Sequence, residues 1–173
     1  VRDPDTGKNV FRQSLFEDVM NQLRRRGFRG LVNLTGGNGG SYVYVDSQPR
    51  QAGAGSDIVS AAERVQHIAQ LKPEICTVDC GTMNEGDDLV YIATKSILRE
   101  MLSIVCSQGV VPELEVFDLG QMQLVNSLVS EGAVSGSYLV QCCLGIGTNA
   151  PADMRVLSLF QALLPEGAPW AAF

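Results

Sequence analysis

Histidine is almost missing from this 173-residue chain: His67 stands alone beside five cysteines at 76, 80, 106, 142 and 143. Structural zinc asks for four Cys or His donors at set spacings, and Cys76-x3-Cys80 with the adjacent Cys142-Cys143 does not supply them. The odd cysteine count, mostly within apolar runs, also argues against a disulfide framework and for reduced, buried thiols. Basic residues are outnumbered, 13 Lys+Arg against 19 Asp+Glu, for a net charge of −6. That balance offers no electrostatic footprint for nucleic acid or an anionic membrane. The one basic run, Arg24-Arg25-Arg26, falls at an expected helix C-terminus, where cations are favoured. No apolar run approaches the ~20 residues of a membrane span. The expectation is a soluble, cytoplasmic protein. An initiator methionine is missing too: the chain runs from Val1 to Phe173, which closes on an apolar run, and it is expected to be an internal piece of a longer protein.

What is present is 45% hydrophobic content, enough for one packed core and a single domain over 1–173. Apolar period and punctuation alternate helix with strand. Helices are expected over 14–26, 58–71, 89–107, 120–131 and 152–164, and strands over 30–35, 74–79, 112–117, 138–144 and 169–173. His67 falls in the second helix, away from the strand ends, as a surface or packing residue. Short apolar strands separated by helices pair in parallel with both faces covered. The fold class is therefore α/β, as a doubly wound sheet or a (β/α)8 TIM barrel.

Polar residues at successive strand ends favour the barrel: Asn33 and Thr35, then Asp79 with Thr82 and Asn84, then Glu113 and Glu115, then Gln141. A barrel collects residues from many strand ends onto one rim, whereas an open sheet concentrates its site at one switch point. The chain is shorter than the ~250 residues typical of that fold. An incomplete barrel lacking its first and last strands is expected.

The segment from Val110 to Asp118 reads as a buried strand on which Glu113, Glu115 and Phe117 share a face. An acid buried there needs a cation, a hydrogen-bond donor or a ligand. The plainer alternative is that these acids cap the next helix or pair with a nearby base. The glycine-rich run Thr35-Gly36-Gly37-Asn38-Gly39-Gly40-Ser41 does not open directly into a helix, as a dinucleotide fingerprint requires. Its small residues instead permit close approach of backbone or substrate at a strand end. Residues 38–56 are expected to be a long βα loop, serving as a lid or simply irregular.

Six segments together resemble one family. They are Val1-Arg2-Asp3-Pro4-Asp5-Thr6-Gly7-Lys8, Asn33-Leu34-Thr35-Gly36-Gly37, Leu71-Lys72-Pro73-Glu74, Asp79-Cys80-Gly81-Thr82-Met83-Asn84, Pro112-Glu113-Leu114-Glu115-Val116-Phe117-Asp118 and Leu164-Pro165-Glu166-Gly167-Ala168-Pro169-Trp170. In that order they are similar to the β-keto acid cleavage enzymes, typified by 3-keto-5-aminohexanoate cleavage enzyme. The resemblance implies a zinc-dependent (β/α)8 barrel of amino acid catabolism that exchanges acyl groups between a β-keto acid and acetyl-CoA, giving acetoacetate and a new acyl-CoA. It places the zinc ligands and the catalytic Arg and Asp outside this chain. By position it assigns substrate contact to Thr35, Gly36, Gly37, Thr82, Asn84 and Glu115. Leu34 stands where many relatives carry a first hydroxyl. Glu115 would pair with a substrate amine or orient a neighbouring donor. A homo-oligomer is expected. The competing readings are a metal-dependent aldolase or lyase and a non-catalytic ligand-binding barrel.

Overall fold

The computed structural model describes residues 1–7 and 10–173. Lys8, the last residue of the N-terminal motif, lies outside the described residues. In chain order the elements are α1 (Gln13–Arg25), β1 (Asn33–Thr35), β2 (Ser41–Val43), α2 (Ala61–Arg64), α3 (Gln66–Leu71), β3 (Ile75–Asp79), β4 (Met83–Asn84) and β5 (Leu89–Tyr91). There follow α4 (Lys95–Ser107), β6 (Val111–Val116), α5 (Leu119–Ser130), β7 (Leu139–Cys142), α6 (Met154–Leu163) and β8 (Trp170–Ala172).

Five strands make a parallel sheet in the order β1-β3-β6-β7-β8. Each new strand joins the same edge in chain order after a helical return, without the reversal that defines a doubly wound sheet. The result is a mixed α/β fold whose main sheet is laid down as successive βα units. A second sheet, β2-β5-β4, is antiparallel and sits in the connections that follow β1 and β3.

The side chains of each strand alternate between two unlike faces. One carries Leu34, Cys76, Val78, Leu114, Val116, Val140 and Cys142, all buried with Leu98, Met101, Leu102 and Val105 of α4, Met122, Val125 and Leu128 of α5 and Phe160 of α6. Each large apolar side chain fully buried in this layer contributes roughly 1.5–3 kcal/mol. The other face carries Asn33, Thr35, Thr77, Asp79, Glu113, Glu115 and Gln141, and so concentrates the sheet's polar chemistry.

Helix starts follow side-chain chemistry. Thr94, Asp118 and Asp153 accept backbone N–H bonds at the starts of α4, α5 and α6, and Ser60 with Glu63 forms a reciprocal capping box on α2. Asp118, not Glu113 or Glu115, is thus the acid that ends β6 and caps the following helix. Gly27 and Gly109 lie just past α1 and α4 with φ of 70° and 75°, a conformation that an L side chain resists.

Two sequence expectations are corrected. Residues 58–71 do not form one helix: the chain turns at Val65, which ends α2 and precedes α3. Leu89–Tyr91 does not begin a long helix but forms β5, because its β-favouring residues find a partner strand in β2, and α4 starts only at the Thr94 cap. Within 38–56, Ser41–Val43 is that partner strand, held by Asp57, whose carboxylate accepts from the N–H groups of Gly39 and Ser41.

Candidate active site

The polar face of the sheet is built in two layers. In the lower one, Glu113 Oε2 accepts from the Thr77 hydroxyl at 2.7 Å and from Asn33 Nδ2 at 2.5 Å. Asn33 Oδ1 in turn accepts from the Thr77 backbone N–H at 3.1 Å. Glu113 is 8% exposed and has donors supplied by β3 beside it and by β1 one strand farther on. It is the satisfied buried acid that the sequence demanded.

The upper layer differs. Asp79 and Glu115 are register partners on adjacent strands, so two carboxyls meet where no base stands between them. Burial pushes the Glu115 carboxyl up to about 8, with the neighbouring Asp79 adding to the rise. Asp79 is also raised, by burial first, while contact with Glu115 and the nearby Tyr91 and Arg64 work in the opposite direction. Two like charges so placed cannot both persist at ordinary cost.

Gly37 approaches this pair so closely that a Cβ there would collide with Asp79 Oδ2 and crowd Thr35 Oγ1. Thr35 lies on the polar face, whereas Leu34 is buried among the helices. Thr35 Oγ1 accepts from Gly37 N at 3.0 Å, which leaves its O–H as a donor toward the open side. Gly36 N is committed to Thr77 O at 2.7 Å. His67 is fully buried against Phe11 and Phe16, and its Nε2 bonds the Thr35 carbonyl at 2.9 Å. It is a packing residue as expected, but it secures the strand end rather than lying apart from it. Burial lowers its pKa, so it stays neutral.

Asn84 borders a cleft of about 320 Å³ with Asp79, Glu85 and Phe117. Thr82 lines an adjoining cleft of about 520 Å³ that shares Met83, Asn84 and Asn149 with the first, and its hydroxyl accepts from Ala93 N at 3.1 Å. Thr35, Gly37, Asp79 and Glu115 therefore converge, Asn84 flanks them, and Thr82 Oγ1 holds the chain between β5 and α4 while its O–H remains a donor.

Behind Asp79 lie two residues that the sequence reading passed over. Arg64 is 0% exposed. Its Nη1 donates to the Ile92 carbonyl at 2.7 Å and its guanidinium lies 5.7 Å from the Tyr91 ring centroid. Arg64 Nε and Nη2 and Tyr91 Oη have no hydrogen-bond partner among the described residues. Gly40 makes room for both, since a Cβ there would strike the Tyr91 ring and crowd Arg64 Nη1. A signal was available: Ala61, Arg64, Val65 and Ile68 share helical spacing, and an arginine on an apolar face implies a buried charge with work to do.

Among the described residues no cluster of three or more His, Cys, Asp or Glu side chains is arranged to hold a metal ion. Cys76 is pushed up to about 12 by burial and stays protonated, while His67 is enclosed by aromatic rings. These residues do not fit zinc. No helix among them is long and apolar enough to cross a membrane.

The chain matches the model of the β-keto acid cleavage enzymes over residues 1–173. It belongs to the β-keto acid cleavage enzyme family. It is 39% identical to the 3-dehydrocarnitine:acetyl-CoA trimethylamine transferase of Rhizobium meliloti (strain 1021), over all of this chain and 59% of that protein. It is 32% identical to a 3-keto-5-aminohexanoate cleavage enzyme of Fusobacterium nucleatum, over 71% of this chain and 43% of that protein. A 3-oxoadipate:acetyl-CoA acetyltransferase of Cupriavidus necator is 24% identical over 61% of this chain and 37% of its own length. The chain thus spans about three-fifths of the first β-keto acid cleavage relative and less than half of the other two.

Proposed function

We propose that this chain contributes the substrate-contacting strand ends of a (β/α)8 barrel that cleaves a β-keto acid with a cationic tail, using acetyl-CoA as co-substrate. In the reaction of such a family member, R–CO–CH2–COO⁻ and acetyl-CoA exchange acyl partners to give R–CO–S–CoA and acetoacetate. The observation that carries the reading is the convergence of the Thr35-Gly36-Gly37 turn with the Asp79–Glu115 carboxyl pair on one polar rim. The names of two relatives, which specify a trimethylamine transfer and an amino-substituted keto acid, add support.

Within this reading Thr35 donates its hydroxyl hydrogen to a substrate oxygen, because its own oxygen is already oriented by Gly37 N. The Gly37 position has to stay without a side chain so that substrate and Asp79 can both approach. Glu115 and Asp79 present net negative charge to the tail. The Asn33–Thr77–Glu113 layer forms a rigid floor that holds the reacting groups in place. Asn84 borders the entry cleft. Zinc, implied by the resemblance, has no donor set among the described residues, so every step assigned here belongs to the chain's own side chains.

The test uses the full-length protein with acetyl-CoA and a panel of β-keto acids bearing cationic, neutral and acidic tails, with both products followed by mass spectrometry. Acetoacetate and a new acyl-CoA should appear together, fastest with a cationic tail. Cleavage without any need for CoA would overturn the reading in favour of a lyase, and binding without turnover would favour a ligand-binding barrel. Chelation before assay tests the zinc requirement separately.

A further inference from the structure

We propose that Asp79 and Glu115 act as one unit carrying a single proton, which the buried Arg64 steers onto Glu115, so that Asp79 is a positioning residue for the acid that meets substrate. The geometry argues for this in three steps. The two carboxyls are register partners on adjacent parallel strands, and Gly37 packs so close to Asp79 that a Cβ there would meet its Oδ2. Among the described residues Arg64 is the cation that acts on Asp79: it is fully buried, its Nε and Nη2 have no hydrogen-bond partner, and its guanidinium lies 5.7 Å from the Tyr91 ring centroid. A buried guanidinium on one side of a carboxyl pair stabilises the ionised form of the nearer member, and the proton therefore resides on the farther one.

The other titratable groups around the pair do not reverse this order. Glu113, below it, is held by Asn33 and Thr77. Cys80 and Cys143 are buried thiols whose pKa is raised, Tyr91 is raised by burial, and Glu85 across the cleft is raised as well. Arg64 is the cation whose charge draws Asp79 toward the ionised form.

The pair consequently presents one negative charge rather than two. Glu115 gives its one O–H to Asp79 while the site is empty or holds a neutral tail, and becomes a carboxylate when a cation docks, releasing one proton to solvent per cation bound. This selectivity consequence rests on the proposed function, whereas the protonation itself does not.

The experiment is infrared titration of the full-length protein in three samples: unlabelled, carboxyl-isotope-labelled on glutamate, and carboxyl-isotope-labelled on aspartate. A protonated-carboxyl stretch should persist at neutral pH, shift in the glutamate-labelled sample only, and titrate away near about 8. It should vanish in Glu115→Gln, and Asp79→Asn should move its titration to markedly lower pH. Arg64→Met should transfer part of the band to the aspartate-labelled sample. Absence of the band at neutral pH, or its shift with aspartate label in the wild type, would overturn the proposal. The wild-type labelling decides even if a variant fails to fold. Because no substrate is present, a negative activity screen leaves this result intact, and the two failures are distinguishable.

Discussion

Glu113 and Glu115 stand two residues apart on β6 and face the same way, yet they sit in opposite circumstances. Glu113 is enclosed by donors from Asn33 and Thr77, whereas Glu115 faces another acid in Asp79. The first arrangement is what a protein builds to make a buried charge tolerable. The second is tolerable only while a proton or a ligand compensates it, and such imbalance is concentrated where chemistry or recognition happens. One strand face therefore holds a satisfied layer and an uncompensated one, separated by a single side-chain repeat.

The largest effect that would break this contrast lies in the lower layer. Glu113→Ala leaves Thr77 and Asn33 without their acceptor, and stability should fall by about 3 kcal/mol, measured by urea unfolding of the full-length protein. A loss no greater than that of Glu115→Gln would show that the two layers do not differ.

In the upper layer Glu115→Gln keeps volume and removes the ionisable group. For cationic-tailed β-keto acids kcat/KM should drop by roughly 30-fold, equivalent to about 2 kcal/mol, and much less for neutral ones. Equal losses across tails, together with a lower melting temperature, would assign Glu115 to the scaffold.

Thr35→Val removes the outward donor while retaining shape. A fall in kcat of about tenfold, largely recovered by Thr35→Ser, would sharpen the assignment of Thr35 over its buried neighbour Leu34. Unchanged kcat in the valine variant would remove Thr35 from the site.

A further contrast lies in the pH dependence of stability. The folded-state pKa of Glu115 is raised from an ordinary 4.5 to about 8, so the native protein binds more protons than the unfolded chain between those values. Stability should therefore decline as pH rises through that window. Denaturant midpoints collected across it should show a slope in the wild type that flattens in Glu115→Gln and persists in Glu113→Gln. A wild-type slope of the opposite sign would contradict the raised pKa.

Much of the scaffold was legible in the chain. Apolar period located α1, α4, α5 and α6 and all five strands of the main sheet, because burial under helices requires continuous apolar runs. The failures were local. Leu89–Tyr91 has the apolar content of a helix start, and only the edge of β2 makes it a strand. The turn at Val65 divides a helical pattern that sequence period alone would continue.

The site was half visible by the same logic. Alternation along β6 placed Glu113 and Glu115 on one face, and the glycines after Thr35 announced a close approach. The sequence by itself determined the α/β alternation, the family, and the strand ends at which polar groups emerge, since these depend on residue type and short-range spacing. Tertiary structure decided that Glu113 is a satisfied floor while Glu115 meets Asp79, and that Arg64 lies buried behind that pair. Those relations join residues dozens of positions apart, and only strand register and helix packing bring them within reach of one another's charge.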